Sequence, residues 1–424
     1  MRTPWTHRLL GPTPLVRRLV VQSVLSAFGE GAFLTGSAVY FTRVVGLSAA
    51  QVGLGLTVAG VVQLVFAVPL GRLGDRFGAR RTWAVTSLLQ ALLFAAWLLV
   101  GGFATFLLAL VVLDSVESAS RSARNAYRLD VFPREQRVHS QAWFRAARNV
   151  GYTLGALLAG LALAAPGTTF VETLPVACAV VLLTNAVWVV RLPATAAPSA
   201  DHEHPLAELS THRGGALRNR GFLAMSFCDG VLSTHQVLLN TVIPLWLVEE
   251  TDAPRVLLAW LFGTNTVLAV LLQVRASRGV ADVGTSLRAQ RRGAALFVLS
   301  CLIVLVTHST LGWVTIALVW VGHVTVTGAE LYQSAGAWGL MSELSDPRLR
   351  GEYQGAYRLG SGLGGVWAPA AYTFLAMHWG TPGWLLIAVV VVLAAVGIAP
   401  AARAAERHLS GATTPAGAAA IGVE

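Results

Sequence analysis

Five carboxylates stand in this sequence where water is scarce. Glu30, Asp114, Glu117, Asp229 and Glu330 each interrupt a long apolar run. A carboxylate near the centre of a bilayer costs roughly 2.5–3.5 kcal/mol even on the lenient insertion scale, so each must face a cavity, find a partner or carry a proton. Five unassisted would cost more than about 12 kcal/mol, as much as the whole stability of an ordinary domain. A packing salt bridge explains any one of them. The functional reading is a proton or substrate site.

Asp114, Glu117, Arg121 and Arg124 recur at i, i+3, i+7 and i+10, which places them on one helix stripe. Two carboxylates a turn apart in a partly dry cavity resist joint ionisation, so one of them can take up and release a proton near neutral pH. Arg121 lies one turn from Glu117 and holds it ionised, which makes Asp114 the preferred proton carrier of the two. Arg121 and Arg124 are expected to meet the cytoplasm. Arg145 and Arg148 share a helix face and can pair with Glu30 or Asp114, or receive an anionic group. Arg145 and Arg358 can equally snorkel to headgroups, whereas Arg148 lies deeper. His235 and His323 can relay protons or pack through hydrogen bonds. Trp143, Phe144, Trp320 and Tyr332 can contact a ligand, while Trp246, Trp260, Trp313, Trp338 and Trp379 near span ends read as interfacial anchors. The candidate substrate set is Glu30, Asp114, Arg148, His235, Trp320, His323 and Tyr332.

The elements that position these groups follow from composition. The 424 residues are 55% hydrophobic and only 12% charged, with a mean hydropathy of +0.62. A soluble chain carries about twice that charged fraction. The formal charge of +10 comes from arginine without a single lysine, clumped between apolar runs rather than along one polar face, so nucleic acid is excluded as a partner. This arginine bias and the many alanines suggest a GC-rich bacterial genome. Cys178, Cys228 and Cys301 lack metal-ligand spacing and read as core residues, and no cofactor or metal site is expected.

Apolar runs long enough to cross a bilayer fall at 19–41, 49–70, 82–101, 103–124, 140–163, 171–190, 221–247, 255–276, 293–309, 311–337, 353–377 and 383–402. Backbone groups in lipid must be satisfied within a segment, so these twelve are helices. Arginine clumps alternate between them: the N-terminus with Arg2, Arg8, Arg17 and Arg18, then 71–81, 124–137, 191–220, 275–292, 346–350 and Arg403 with Arg407. Positive loops stay inside, which puts both termini in the cytoplasm. The 191–220 connector is polar and proline-rich, with His202, His204 and His212 marking a solvated linker between halves 1–190 and 221–405. A Gly/Ala/Thr-rich tail over 406–424 is expected to be disordered. The halves look related. Gln141-Ala-Trp-Phe-Arg145 with Gly151 matches Gln354-Gly-Ala-Tyr-Arg358 with Gly364 at an offset of 213 residues, which Arg137 and Arg350 also obey. Such internal repeats build secondary transporters.

Between the second and third spans lies Gly71-Arg-Leu-Gly-Asp-Arg-Phe-Gly-Ala-Arg-Arg81. This pattern resembles the helix 2–3 loop of the major facilitator superfamily, over about residues 15–405. The resemblance implies an all-α transmembrane fold of twelve helices in two pseudo-symmetric six-helix halves. It implies gating roles for Gly71, Asp75, Arg76, Gly78 and Arg81, with Asp75 against the N-terminal end of helix 11 and Asp130 paired to a loop arginine. Helices 1, 4, 7 and 10 line the family's cavity, and all five carboxylates fall on them, which implies an acidic cavity suited to cationic or zwitterionic cargo. Gly151 to Gly160 resembles the helix 5 motif of antiporters, with Ala156 where its proline belongs.

The expectation is therefore a monomeric transporter of the bacterial inner membrane, coupled to protons and working on a small molecule. Export of an amphipathic or cationic compound such as an antibiotic, as in actinobacterial drug-efflux-like members, is the first reading. Proton symport for uptake of a nutrient or metabolite is the second, and a non-transporting membrane sensor the third. No combination of nucleophile, base and oxyanion donors suggests an enzyme.

Overall fold

Every regular element among the described residues is helical, as lipid requires of a chain that must satisfy its backbone within each segment. The computed structural model describes residues 13–164, 169–194 and 215–411. Arg2, Arg8, most of the expected linker with His202, His204 and His212, and tail residues 412–424 lie outside them. The long helices are α1 (Pro14–Val39), α2 (Ala49–Val65), α3 (Ala67–Phe77), α4 (Ala79–Ala96), α5 (Phe103–Val131), α6 (Arg134–Ala164) and α7 (Thr169–Val190). After the linker come α8 (Arg220–Leu232), α9 (Ile243–Glu250), α10 (Leu257–Ala276), α11 (Val283–Leu305), α12 (Trp313–Glu343), α13 (Arg350–Trp379) and α14 (Thr381–Gly411). A helical turn and a π-helical turn carry α8 into α9, so Arg220–Glu250 runs as one span. Eight of these segments are long and apolar enough to cross a membrane, and α2 with α3, bent by 53°, makes a ninth.

Local chemistry sets the ends. Thr13 caps α1 and Pro14 occupies its first turn, where a missing N–H costs nothing. Ser48 and Gln51 form a reciprocal capping box on α2. Gly78, at φ +86°, separates α3 from α4. Asp282 caps α11 by accepting from the Thr285 amide at 2.7 Å, and that hydrogen bond holds its carboxyl below the usual carboxylate range. Several boundaries differ from the sequence expectation: α11 begins at Val283 rather than 293, and α14 runs to Gly411, into the tail expected to be disordered. The 49–70 run is broken at Phe66 into α2 and α3. The 103–124 run continues as helix to Val131: no helix breaker intervenes before Pro133, and its polar last turns are held against α1 and α6.

Packing divides at the linker. The core of the second part contains buried residues from Ala216 to Leu409 and only Val68 from the first part. Two clusters, from Val16 to Leu192 and from Ala32 to Leu182, fill the first part. Within each part the first helix crosses the fifth at glycines: a Cβ on Gly151 would strike the Val24 carbonyl, and one on Gly364 the Gly230 carbonyl. The same residues that obey the 213-residue offset thus serve the same packing contact. Between the parts, α3 meets α13 so closely that a Cβ on either Gly71 or Gly351 would strike the other's carbonyl.

Candidate functional site

Three of the five carboxylates are neutralised by arginine. Glu30 of α1 receives both arms of Arg148 from α6, at 3.2 and 2.6 Å. Glu117 pairs with Arg121 along α5. Glu330 of α12 accepts from Arg145 of α6 at 2.9 Å and from Asn265 of α10 at 3.2 Å, tying the two parts together. The other two differ. Asp229 is fully buried on α8 and is held by neutral donors only: Gln290 at 2.5 Å, Gln333 at 2.8 Å and the Tyr357 hydroxyl. The Asp114 carboxylate makes no hydrogen bond or ion pair among the described residues, although its backbone carbonyl accepts from Gln63 at 3.2 Å. The Gln63 side chain also accepts from Arg358 at 2.5 Å.

The cavity beside these groups is not acidic. About 250 Å³ of space lies between α5, α6, α10 and α12, and five arginines line it: Arg121, Arg124, Arg128, Arg145 and Arg148. The acidic cavity expected from the carboxylates is corrected on two counts. Three of those carboxylates are spent on arginines, and α6 and α10 contribute walls that a list of helices 1, 4, 7 and 10 leaves out. Arg124 does not meet solvent as expected; it is 8% exposed and donates to Ser26 at 3.1 Å. Arg128, placed in a loop by the sequence reading, is 4% exposed on α5. It donates to Gln22, Ser23 and Gln141 and lies 4.3 Å over the Phe144 ring. The signal was present, since Arg128 continues the stripe of Arg121 and Arg124 by one more turn.

Polar contacts between the two parts gather at the arginine-rich end. Asp75 caps α13, accepting from the Gly351 and Glu352 amides at 2.7 and 2.8 Å, where the helix carries partial positive charge. Arg72 pairs with Glu352 at 3.1 Å. Arg350 pairs with Asp130, and Arg134 with Glu343. Asp130 therefore answers an arginine of the other part rather than one from the 71–81 segment. Arg76 and Arg81 are exposed, and Arg76 lies 5.4 Å from its neighbour's ring, Phe77.

The sequence profile of the Major Facilitator Superfamily matches residues 19–369. This chain belongs to that superfamily. It is a multi-pass membrane carrier rather than an enzyme. Its fold is similar to that of the human organic anion transporter MFSD10 (TM-score 0.64, 17% identity, covering 91% of this chain and 100% of that one). It is also similar to a bacterial homologue of the iron transporter ferroportin in an outward-facing state (TM-score 0.67, 13% identity, 92% and 100%). The E. coli fucose:proton symporter FucP is a third (TM-score 0.65, 14% identity, 91% and 98%). Among curated proteins no sequence matches the chain.

Within the superfamily carrier, several expected ligand contacts lie apart from the cavity. His235 is buried beside the Leu232 carbonyl at 3.0 Å, and His323 is buried on α12. Trp320 packs against the core of the second part. Tyr332 turns toward α11, where Arg292 lies 6.0 Å from its ring. None of the four lines the arginine cavity. Trp338 does line it, although the sequence marked it as an interfacial anchor. Trp246 is also no anchor, being buried and bonded to Thr307 at 2.9 Å, whereas Trp260, Trp313 and Trp379 are exposed.

Proposed function

We propose that this carrier is a proton-coupled secondary transporter working by alternating access, and that it takes up a small metabolite together with protons. Asp114 carries the proposal. It is an accessible carboxylate with no hydrogen bond or ion pair among the described residues, one turn from the Glu117–Arg121 pair and next to Gln63 and Arg358. Such a group can bind and lose a proton without dismantling a salt bridge, and its charge state can decide whether Arg358 stays on Gln63. Glu30, Glu117 and Glu330 then set the local field, and Asp229 is a second proton site sealed by neutral donors.

Twelve crossings complete the reading. Helices α6, α10 and α13 contain 31, 20 and 30 residues. At 1.5 Å per residue each reaches about 30 Å or more, enough to span. Added to the nine other segments they give two six-helix halves, 1–190 and 221–405, as a monomer. The arginine-rich end and both termini face the cytoplasm of a bacterial inner membrane. The Gly71–Arg81 segment, with Asp75 on α13 and Asp130 on Arg350, is the gate.

Export by antiport, as in actinobacterial drug-efflux-like carriers, remains the second reading. Its sequence support weakens because Gly151 and Gly155 have a packing reason, a close approach to α1 at the Val24 and Phe28 carbonyls. A cationic drug would also meet five arginines. The likeness in fold to a proton symporter is compatible with uptake. In proteoliposomes with an imposed inward proton gradient, solute from a metabolite panel is expected to accumulate inside. Asp114→Asn is expected to abolish that accumulation while preserving solute exchange without a gradient. Gradient-driven accumulation at full level in Asp114→Asn, or solute driven outward by inward protons, would overturn the proposal.

A further inference from the structure

We propose that the arginine cavity is an oxyanion site, so that the solute carries a carboxylate or phosphate group received by Arg124 and steered by Arg128. The inference rests on the cavity being the transport site, and it goes further by naming the chemical class of the cargo. Charge supplies the first argument. Five guanidinium groups line the cavity, and the carboxylates paired with them are Glu117, Glu330 and Glu30, for Arg121, Arg145 and Arg148 respectively. Arg124 and Arg128 have no carboxylate within salt-bridge distance among the described residues, yet both are more than nine-tenths buried. A buried charge without a counter-ion is strongly unfavourable, and a bound anion removes the penalty.

Donor geometry supplies the second. Arg124 uses only Nη1, on the Ser26 hydroxyl, and its Nη2 makes no hydrogen bond among the described residues. A guanidinium offers five N–H donors in a planar fork suited to carboxylate or phosphate oxygens. Arg128 spends both terminal nitrogens on Gln22, Ser23 and Gln141 and is braced on Phe144. It is fixed in place as a source of positive field. The indole N–H of Trp338, lining the same cavity, has no acceptor. A volume of about 250 Å³ suits a small metabolite anion rather than a lipid or a large drug.

The test is thermal unfolding of the purified full chain with succinate or inorganic phosphate, against chloride at matched ionic strength and the neutral analogue succinamide. Succinate, phosphate or both are expected to raise the midpoint saturably, and which one does so separates a carboxylate from a phosphate solute. Succinamide is expected to do nothing. Arg124→Gln is expected to weaken the apparent affinity at least tenfold, with Arg124→Lys keeping part of it. If Arg124→Gln does not fold, Trp338→Phe removes one donor while keeping an aromatic ring there, and a loss of about threefold is expected. No saturable response to either anion, equal affinity in the variants, or stabilisation by choline instead would overturn the proposal. Binding needs no gradient, so intact anion binding without proton-driven flux would sink the coupling reading alone.

Discussion

Opposed charges side by side in a membrane protein matter as pairs more than as individuals. Glu30 and Arg148 lie about a quarter exposed and joined by two hydrogen bonds, so removing one partner strands the other. Glu30→Gln and Arg148→Gln are each expected to destabilise by about 2 kcal/mol. The double variant is expected to cost less than the sum, as read from a double-mutant cycle of unfolding midpoints in detergent. Strict additivity would show that the pair is not a unit. At this scale the sequence was legible in its charges and opaque in its partners. That Asp114, Glu117, Arg121 and Arg124 share a stripe follows from spacing alone. That Arg148 answers Glu30, 118 residues away, follows only from the crossing of α1 and α6. Arg128 was missed because an arginine that far from the span centre looks like a loop residue until the helix is seen to continue.

Helices were easier to read than their ends. Twelve apolar runs located the long helices, but not the bend of 53° between α2 and α3 nor the extension of α5 to Val131. Both depend on tertiary contact: α3 turns to lay Gly71 against Gly351, and the last turns of α5 are buried by α1 and α6. Caps are the exception, being written locally. Asp282 and Thr285 make a reciprocal box at the start of α11. Asp282→Ala is expected to lower stability by about 1 kcal/mol at pH 7, with Asp282→Asn keeping most of the cap. Because the folded carboxyl titrates below its unfolded value of about 3.9, the contribution is complete above that pH. It fades only as pH falls through the lower folded value. No loss of stability in Asp282→Ala at neutral pH would show that the cap is idle.

Across the whole molecule, the offset of 213 residues links more than the sequence first offered. Glu117 and Glu330 obey it, as do Asp130 and Glu343. In space, Arg350 pairs with Asp130, while Glu343 is held by Arg134, one turn from the residue the offset would choose. The next layer is lopsided. Arg145 holds Glu330 across the two parts, but its counterpart Arg358 holds Gln63, and Glu117 keeps to Arg121. The chain thus owns two copies of one latch, with one fastened and one undone. Under the alternating access proposed above, the two would trade places: unfastening Arg145 from Glu330 would let Arg358 take Glu117 as the molecule turns to its other face. Cysteines at 117 and 358 are accordingly expected to crosslink only in the conformation where cysteines at 145 and 330 do not. Simultaneous crosslinking of both pairs would show that the latches do not take turns.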